Sequence, residues 1–328
     1  MIKWGIVGLG NMANKFASAI KDVNNVKLQS VSSLDKKKLE IFKKNFNIQN
    51  EYAFNNYDDL IQCKEIDAVY ISPLNNTHLD LIKKCAENKK NILCEKPMSL
   101  NFDEAKLAKE YIYKHKVSFF EAIAYRTHPQ TNIIKDLIEQ EEVGEIISIE
   151  SNFGFKINKI KPESRLFNKK LGGGAILDIG CYPISVLSLI SKNKKFNLIK
   201  SNGSFTVTGV DDFAEANILI DNKINANIKI SFKENLNNQL IFRGKKGSIV
   251  VNNPWLPDIK NHIDVSIDNK FYKKFINSEK SLYANQIHKI SYNFENSIND
   301  DNYSVNIDES NVIMEILTKW DNAIRLND

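Results

Sequence analysis

The sequence places a glycine-rich turn, Gly8-Leu9-Gly10-Asn11-Met12-Ala13, directly after a short apolar run at its start. In a strand-to-helix turn of this kind, Gly8 allows the tight turn, Gly10 lets a pyrophosphate approach the backbone, and the small Ala13 lets the helix pack closely on the strand. The N-terminus of the helix would then face the phosphates. Glycine-rich turns occur in α/β proteins of any function, but this position at the first strand-helix junction indicates dinucleotide binding.

The end of the second predicted strand bears on the choice between the two nicotinamide dinucleotides. An acidic residue there hydrogen-bonds the ribose 2′-hydroxyl of NAD and repels the 2′-phosphate of NADP. The chain has Ser33 at that position, followed by Asp35 and by lysines at residues 36–38. A side chain such as Lys37 could neutralise a 2′-phosphate, which favours NADP. The same lysines could equally be the solvated start of a helix, and Asp35 leaves NAD open.

A lysine follows another short apolar run, in Cys94-Glu95-Lys96-Pro97. That run is predicted to be a strand that ends at the carboxyl edge of a parallel sheet. Open α/β sheets bind their ligands at that edge. We therefore expect Lys96 to project toward the cofactor.

A third motif combines three glycines with an aspartate and a tyrosine. In Gly172-Gly173-Gly174-Ala175-Ile176-Leu177-Asp178-Ile179-Gly180-Cys181-Tyr182, the glycines precede a predicted helix. Asp178 and Tyr182 are four residues apart and so share one helical face. That spacing alone is more typical of a buried tyrosine beside a cap or a salt bridge, but the triple glycine favours close approach of the backbone to a ligand.

The elements that must position these motifs follow from the hydrophobic pattern. Up to about residue 122, short apolar runs alternate with segments of helical period, which is typical of a parallel sheet covered by helices. We predict strands at residues 3–7, 26–32, 68–71, 92–94 and 117–121, with helices beginning near Met12, Lys36, Tyr57, His78 and Asp103. Residues 1–122 are therefore predicted to form a doubly wound, Rossmann-type α/β domain.

The pattern changes in the second half of the chain. After a predicted helix at residues 130–140, apolar and polar residues alternate at 214–220 and 226–232, as in antiparallel strands with one buried face. A final helix is predicted at residues 309–324. Residues 123–328 are thus expected to form an α+β domain on a large, mainly antiparallel sheet, which binds substrate and mediates oligomerisation.

Composition narrows the class of function. The 328 residues are 42% hydrophobic and 26% charged, which is typical of a globular protein long enough for two domains. The net charge of +5 is spread among 45 basic and 40 acidic side chains, so we expect no nucleic-acid partner.

The four cysteines form no CxxC pair and have no histidine at ligand spacing, which indicates reduced thiols in the cytoplasm and no metal site. Because Lys, Asn, Asp or Gly interrupts each apolar run, we expect no membrane span.

Taken together, the motifs resemble the glucose-fructose oxidoreductase and inositol dehydrogenase family, often written Gfo/Idh/MocA, over nearly the whole chain. The glycine turn matches the opening fingerprint of that family, and Glu95-Lys96-Pro97 matches its signature tripeptide. Ser72-Pro73, with Asn76 and His78, resembles the loop after its fourth strand. The branch that contains dimeric dihydrodiol dehydrogenase, xylose dehydrogenase and glucose-fructose oxidoreductase is further matched by Glu121-Ala122-x-x-Tyr125-Arg126-x-His128-Pro129-Gln130 and by Pro254-Trp255-x-Pro257.

The resemblance implies that Lys96, Asp178 and Tyr182 are the catalytic groups, although many relatives have His at the position of Tyr182. Hydride transfer between a carbinol and nicotinamide needs a group that takes or gives the hydroxyl proton. A tyrosine normally has a pKa of about 10, and a nearby lysine cation favours its phenolate. We therefore expect Tyr182 to be the acid/base, Lys96 to assist it, and Asp178 to orient the lysine or a substrate hydroxyl.

The motifs and the resemblance also predict the residues at the cofactor, namely Gly8, Gly10, Asn11, Met12, Ser33, Lys37, Ser72, Pro73, Asn76, His78, Glu95 and Lys96. NADP-using members of the branch often have Ser-Arg at the second strand, which matches Ser33 but not Leu34. NADP(H) is therefore favoured and NAD(H) stays open. For Arg126 and His128, a substrate contact and a structural role in a buried hinge between the domains both remain open.

The expected activity is hydride transfer between NAD(P) and a secondary alcohol or ketone of a sugar, cyclic polyol or sugar derivative. Two alternatives stay open: a nucleotide-sugar ketoreductase, and a non-catalytic NAD(P)-binding sensor or structural protein on the same fold. The resemblance also implies a cis Lys96–Pro97 bond. Apolar residues without alternation, Ile249, Val250 and Val251, indicate a strand covered on both faces, so we expect a homodimer or homotetramer formed through the sheet.

Overall fold

The computed structural model describes residues 1–326, which divide into two compact units. Unit 1 comprises Met1–Thr127 and Lys280–Asn311, and unit 2 comprises His128–Glu279 and the residues from Val312 onward. The division predicted after residue 122 lies close to the point where the chain leaves unit 1. It did not anticipate that a second segment near the C-terminus joins unit 1, because such a return is a long-range contact that the local pattern does not record.

The strands and helices are these, in chain order. The strands are β1 (Ile2–Val7), β2 (Val26–Ser32), β3 (Ala53–Phe54), β4 (Ala68–Ile71), β5 (Asn91–Cys94), β6 (Phe119–Glu121), β7 (Ile146–Gly154), β8 (Phe196–Phe205), β9 (Asp211–Ile220), β10 (Ile224–Ser231), β11 (Gln239–Gly244), β12 (Gly247–Asn252), β13 (Lys260–Ile267), β14 (Lys270–Asn277) and β15 (Val305–Asn306). The helices are α1 (Asn11–Ala19), α2 (Lys36–Phe46), α3 (Tyr57–Gln62), α4 (His78–Glu87), α5 (Phe102–His115), α6 (Pro129–Glu139), α7 (Cys181–Ile190), α8 (Leu282–Glu295) and α9 (Ile307–Leu326).

The sheet of unit 1 has the strand order β15-β6-β5-β4-β1-β2-β3. Strands β1 to β6 pair in parallel, and only β15 runs antiparallel, against β6. The order reverses next to β1, which pairs with β2 on one side and β4 on the other. This reversal is the point at which open α/β sheets form a ligand crevice at the carboxyl ends of their strands. The predicted Rossmann-type fold is confirmed, and the predicted strands 26–32 and 68–71 match β2 and β4.

The core of unit 1 joins the start of the chain to helix α8. Trp4 of β1 is fully buried, and its indole packs edge-on against Phe16 of α1 with ring centroids 5.3 Å apart. The Trp4 indole also lies 5.6 Å from the ring of Phe294 and donates a hydrogen bond to the Ser291 hydroxyl at 3.0 Å. Phe294 and Ser291 both belong to α8, so this helix covers the same sheet face as α1. The sequence reading did not predict α8.

The sheet of unit 2 has eight strands in the order β14-β13-β12-β11-β7-β10-β9-β8. Only β7 and β10 pair in parallel, and the other neighbours are antiparallel. This confirms the large, mainly antiparallel sheet. The predicted alternation is also confirmed, because the even positions of β9 from Ala214 to Ile220 are buried while the odd positions are partly exposed.

One face of this sheet is covered within unit 2 and the other is open. On the covered side, Gly180 lies close to Leu317 and Trp320 of α9 and to Ile230 of β10. The Trp320 indole donates to the backbone carbonyl of Glu215 at 3.1 Å, which fastens α9 to β9. The open face presents a polar cleft of about 400 Å³ lined by side chains of β7, β8, β9 and β10.

One segment of unit 2 is apolar enough to cross a membrane by length and composition, Lys169–Ile190, with a mean hydropathy of 1.6 in its most apolar stretch. That stretch is 72% buried inside the protein. It contains α7, which packs in the core of unit 2. Core helices of soluble proteins are commonly as long and as apolar as this segment.

Candidate active site

The first strand-helix turn of unit 1 has the backbone that its glycines predict. Gly8 has φ of +83°, and a Cβ there would stand 2.8 Å from the backbone nitrogen of Pro73. The Ser72 hydroxyl donates to the Gly8 carbonyl at 2.7 Å, so the β4–α4 loop is fastened to this turn. A Cβ on Gly10 would meet no atom within 4 Å. The turn is therefore rigid at Gly8 and open at Gly10.

The N-terminus of α1 leaves its backbone donors available. Within residues 1–326, no side chain caps this helix, whose first residues are Asn11 and Met12. Ala13 in the first turn is fully buried, which allows the helix to pack closely against β1. Open backbone N–H groups at a helix N-terminus beside a glycine turn suit the phosphates of a dinucleotide.

At the end of β2, Asp35 has a local structural role. This is the acidic residue for which the sequence left NAD possible as the cofactor. Ser33 is buried and its hydroxyl accepts a hydrogen bond from the backbone of Asp35 at 3.1 Å. The Asp35 carboxylate caps α2 by accepting from the backbone N–H groups of Lys37 at 2.9 Å and Lys38 at 3.2 Å. The side chains of residues 36–38 are exposed. Asp35 is therefore committed to the helix cap.

The loop after β4 contains one exposed and one fully buried candidate. Asn76 is exposed, whereas His78 is fully buried at the start of α4. The His78 ring is hydrogen-bonded through Nδ1 to the carbonyl of Pro97 at 2.9 Å. Burial lowers the pKa of His78 to about 4, although the carbonyls of Pro97 and Pro73 act in the other direction. The imidazole is thus neutral at neutral pH and ties two loops together, which places its side chain inside the protein.

The tripeptide Glu95-Lys96-Pro97 follows β5 at the carboxyl edge of the sheet, where the sequence reading put it. The Glu95 backbone N–H donates to the carbonyl of Ile71 at 2.8 Å, so the loop leaves the sheet beside β4. The buried Glu95 carboxylate accepts a short hydrogen bond from the Tyr70 hydroxyl. The Lys96–Pro97 peptide bond is cis, which confirms that prediction. Lys96 itself is half-buried.

In unit 2, Asp178 and Tyr182 lie on one continuous helical segment that begins with a π-helical turn. That turn, Ile176–Gly180, leads directly into α7, so the spacing is not the regular α-helical one that was predicted. The Asp178 carboxylate is buried and accepts from the guanidinium of Arg165 at 2.7 Å. Arg165 is about half exposed. The sequence reading did not single out Arg165, which lies in a loop without a recognisable motif.

Aromatic side chains hold the ring of Tyr182. It meets the ring of Phe153 edge-on, with centroids 5.3 Å apart and an interplanar angle of 88°. It also lies 6.2 Å from the ring of Trp255, whose indole donates to the carbonyl of Asn152 at 3.1 Å. Tyr182 is half-buried. A phenol with one fixed face and partial exposure is able to exchange a proton with groups outside the core.

The triple glycine has a different physical role from the predicted approach to a ligand. Gly174 has φ of +115°, and a Cβ there would overlap Oδ1 of Asp211. The other carboxylate oxygen of Asp211 accepts from the Ile176 backbone N–H at 2.7 Å. A Cβ on Gly173 would likewise crowd the backbone carbonyls of Leu166 and Arg165. The glycines therefore make room for a carboxylate and for backbone of the same unit, and Asp211 is a positioning residue that sequence reasoning missed.

Arg126 and His128 have structural partners. Arg126 is 1% exposed and forms a two-pronged ion pair with Glu309, with N–O distances of 2.8 and 3.2 Å. His128 is buried, and its Nδ1 accepts from the backbone of Gln130 at 3.1 Å, which caps α6. Burial lowers the pKa of His128 to about 4, against a smaller opposing effect of Asp258. These contacts give Arg126 a structural role in unit 1 and His128 a structural role in unit 2.

The structure thus gathers two sets of candidate residues. In unit 1, the glycine turn, Ser33, the Ser72-Pro73 loop and Lys96 all follow the carboxyl ends of parallel strands. In unit 2, Asp178 and Tyr182 share one helical segment. Among the described residues, no group of three or more His, Cys, Asp or Glu side chains is placed to hold a metal ion.

A Rossmann sheet with an open glycine turn and a lysine at its carboxyl edge, followed by a domain on a large, mainly antiparallel sheet, is typical of an oxidoreductase with an NAD(P)-binding domain. Residues 2–123 match the model of the Gfo/Idh/MocA oxidoreductase family, NAD-binding Rossmann fold, and residues 132–250 match the C-terminal domain of the same family. The chain belongs to this family, as its motifs had indicated.

Several relatives have named activities. The chain is 31% identical to the trans-1,2-dihydrobenzene-1,2-diol dehydrogenase of Xenopus tropicalis over 258 residues, which cover 78% of this chain and 77% of that protein. It is 28% identical to D-xylose 1-dehydrogenase (NADP(+)) 2 of Haloferax volcanii, over 57% of this chain and 56% of that one. These relatives are dehydrogenases, and this chain is an enzyme of the same family.

Solved structures share the fold. An aldose-aldose oxidoreductase from Caulobacter crescentus superposes with a TM-score of 0.91 at 18% identity, covering 100% of this chain and 98% of that one. A 3-ketoreductase from Actinomadura kijaniata, solved with NADP and TDP-benzene, gives a TM-score of 0.87 at 18% identity over 98% of this chain and 97% of that one. At these identities the likeness establishes the fold.

The Asp211 contact gives a testable pH dependence. Burial, together with the charge of Asp321, raises the pKa of Asp211 to about 7, although the Ile176 N–H and Arg325 lower it. Because the pKa is higher in the folded state, this carboxyl favours folding below about pH 4 and that contribution is lost as the pH rises toward 7. Between pH 4 and 7 we expect the free energy of unfolding of the wild type to fall relative to Asp211→Asn, by on the order of a few kcal/mol.

Urea unfolding at several pH values measures this difference. Asp212→Asn is the matched control, because the neighbouring Asp212 is only partly buried and accepts from the Ser204 hydroxyl at 2.7 Å. Its profile should run parallel to that of the wild type. Parallel profiles for the wild type and Asp211→Asn would show that the Asp211 carboxyl does not carry the assigned effect.

Proposed function

We propose that the protein transfers a hydride between NADP(H) and a secondary alcohol or ketone of a sugar, cyclic polyol or sugar derivative, with Tyr182 as the acid/base and Lys96 assisting. The observation that carries the proposal is the placement of Lys96 after β5, on the same sheet edge as the open turn at Gly10. The carboxyl edge of an α/β sheet is where ligands bind, so the position of Lys96 alone supports its role at the cofactor.

The residues of the first turn fit a dinucleotide. The space in front of Gly10 and the uncapped start of α1 suit a pyrophosphate, which the backbone N–H groups of Asn11 and Met12 would hold. Ser72, Pro73 and Asn76 border the same edge. His78 supports this loop from inside, and Glu95 supports the neighbouring one through Tyr70. When bound, the nicotinamide supplies or accepts the hydride.

The chain's own side chains handle the proton. In reduction, the Tyr182 hydroxyl gives its proton to the substrate oxygen as negative charge develops there, and in oxidation the phenolate takes that proton back. The Lys96 ammonium hydrogen-bonds the same oxygen and favours the phenolate form of the tyrosine. The Asp178 carboxylate holds the guanidinium of Arg165, which is about half exposed and can meet polar groups of a substrate.

The substrate class rests on the named relatives, which act on a dihydrodiol and on D-xylose. Both substrates present vicinal or ring hydroxyl groups, and we assign the same class here. Turnover of a nucleotide sugar in preference to free sugars would instead favour the ketoreductase alternative. We also infer a cytoplasmic location, supported by four cysteines that form no CxxC pair in the sequence, which fits reduced thiols.

Loss of either proton-handling group should abolish most of the activity. We expect Lys96→Met and Tyr182→Phe each to reduce kcat by about 10²- to 10⁴-fold, the usual contribution of general acid-base catalysis. Affinity for NADPH should change much less. Initial rates on a panel of aldoses, cyclic polyols, ketosugars, dihydrodiols and nucleotide sugars, together with calorimetric NADPH titration, measure both quantities.

The matched control for this experiment is Tyr292→Phe, an exposed tyrosine on α8. It should keep wild-type rates. Near-normal turnover in Lys96→Met or Tyr182→Phe would reject the assigned roles, and NADPH binding without turnover of any panel member by the wild type would favour the non-catalytic alternative.

The cofactor preference should depend on the charge at the end of β2. We expect NADPH to bind more tightly than NADH, and Lys37→Glu to weaken NADPH binding by about tenfold with little effect on NADH, because the 2′-phosphate would meet a like charge. Lys27→Glu introduces the same charge change at the opposite end of β2 and should leave both affinities unchanged. Calorimetric titration with NADPH and NADH measures these affinities. Equal or tighter binding of NADH by the wild type would refute the preference for NADPH.

The open face of the unit 2 sheet supports a homodimer or a homotetramer. Ile241 and Val250 are paired neighbours on this face and remain partly exposed. Phe271 and Phe275 of β14 lie on the same face and are 82% and 76% exposed. Of the apolar run that suggested a doubly covered strand, Ile249 and Val251 are buried within the unit, whereas Val250 faces the open side. A second copy of the sheet would cover these side chains.

Light scattering should therefore report at least twice the chain mass of 37.5 kDa at micromolar protein. Ile241→Asp places a second carboxylate beside Glu150, its partner in β7, and should shift the mass toward the monomer through charge repulsion at the interface. Ile41→Asp, at an exposed position on α2, is the control. A wild-type mass of only 37.5 kDa would exclude this assembly.

A further inference from the structure

The buried carboxyl group of Glu121 has no role in the function proposed so far. Glu121 ends β6, is 2% exposed, and pairs in register with Cys94 of β5 and Val305 of β15. Cys94 lies two residues before Lys96. The sheet register therefore brings Glu121 to the base of the loop that carries the lysine.

Within residues 1–326, one of the two carboxylate oxygens of Glu121 is hydrogen-bonded and the other is not. Oε1 accepts from the Met98 backbone N–H at 3.0 Å. Oε2 has no hydrogen-bond partner among the described residues. The Ser310 hydroxyl faces it closely enough to lower the pKa of Glu121, but the contact does not meet hydrogen-bond geometry. A buried carboxylate oxygen in this state costs folding free energy, so simple packing does not account for the residue.

The Lys96 loop is held on both sides of its proline peptide. On one side, the neutral His78 donates from Nδ1 to the Pro97 carbonyl at 2.9 Å. On the other, the Glu121 carboxylate receives the Met98 N–H. Since these two bonds fix consecutive residues directly after Lys96, they fix the direction in which the lysine leaves the backbone.

Charges around Glu121 make its ionisation responsive to pH. Burial, with a smaller contribution from the Glu309 carboxylate on α9, raises the pKa of Glu121 to about 7, although Ser310, the Met98 N–H and the Lys96 ammonium act in the other direction. The Cys94 thiol on β5 also faces the group, and burial followed by the Glu121 charge raises the pKa of that thiol, so it stays neutral. Arg126, the other nearby cation, is paired with Glu309. Lys96 is thus the cation whose charge state is linked to Glu121.

We propose that Glu121 is a positioning residue for Lys96, fixing its loop through the Met98 N–H and favouring its charged form through the carboxylate. The inference rests on the proposed function, in which the Lys96 ammonium assists the transfer of the proton. As the pH falls through neutrality, protonation of Glu121 removes this counter-charge, so the lysine loses electrostatic support while its hydrogen-bonded loop can persist.

The test measures Lys96 directly and needs no substrate. Trace acetylation with acetic anhydride, quantified by peptide mass spectrometry between pH 6 and 9, reports the fraction of uncharged amine at Lys96, with exposed Lys27 as the internal reference. In Glu121→Gln the amide oxygen can still accept from Met98. We expect Lys96 in this variant to be acetylated about tenfold faster than in the wild type at pH 8, since one nearby opposite charge shifts such an equilibrium by about that factor.

Glu104→Gln is the matched control. The Glu104 carboxylate accepts from the Leu100 backbone N–H at 2.9 Å, so it holds the far end of the same loop. Its replacement removes one negative charge and should leave Lys96 labelling unchanged. If instead both variants accelerate labelling equally, general loosening of the loop explains the result and the proposal is overturned.

The wild type alone gives a second readout that does not depend on how the variants fold. As Glu121 ionises between pH 6 and 8, Lys96 labelling should rise less steeply than that of Lys27, and the two should rise in parallel above pH 8. Parallel curves throughout, or unchanged Lys96 labelling in a folded Glu121→Gln, would overturn the coupling. Wild-type turnover by Lys96→Met would instead overturn the proposed function and leave the labelling result standing, so the two failures are distinguishable.

Discussion

A buried carboxylate that accepts a backbone N–H positions each of the two candidate catalytic segments. In unit 1, Glu121 receives the N–H of Met98, directly after the Lys96–Pro97 peptide. In unit 2, Asp211 receives the N–H of Ile176, at the start of the helical segment that carries Asp178 and Tyr182. Glu121 is the last residue of β6 and Asp211 is the first residue of β9, so in each unit the rigid sheet sets the position of a loop or helix whose own backbone could adopt other conformations.

Such an arrangement has a cost in folding free energy, because a buried carboxylate loses its hydration. Burial raises the pKa of both Glu121 and Asp211 to about 7, so ionising either group in the folded protein is unfavourable. A neutral amide could accept the same hydrogen bond without that penalty. Beside Lys96 the carboxylate charge acts on a cation, whereas at Asp211 the charge of Asp321 opposes ionisation and that of Arg325 favours it.

The sequence predicted those parts of the structure that depend on local pattern. Parallel strands in a buried sheet read as short apolar runs, so β2 and β4 were placed residue for residue, and the position of Lys96 followed from the end of β5. Helix α8 was missed because its apolar face packs on Trp4 from almost the whole chain length away. The contacts Asp211–Ile176 and Arg126–Glu309 are long-range in the same sense, and no spacing rule in the sequence pairs them.

The glycines show why a motif can be located correctly and explained wrongly. Gly10 faces open space, as a ligand-facing glycine should, but Gly174 is required because the Asp211 carboxylate occupies the space of its side chain. Similarly, Asp35 lies where an acid could contact a ribose, yet its carboxylate accepts the N–H groups that begin α2. Turning it toward a ribose would leave those donors without their cap, which costs about 1 kcal/mol. The helix cap therefore competes with NAD recognition at this position, and the lysines at residues 36–38 that follow it are exposed.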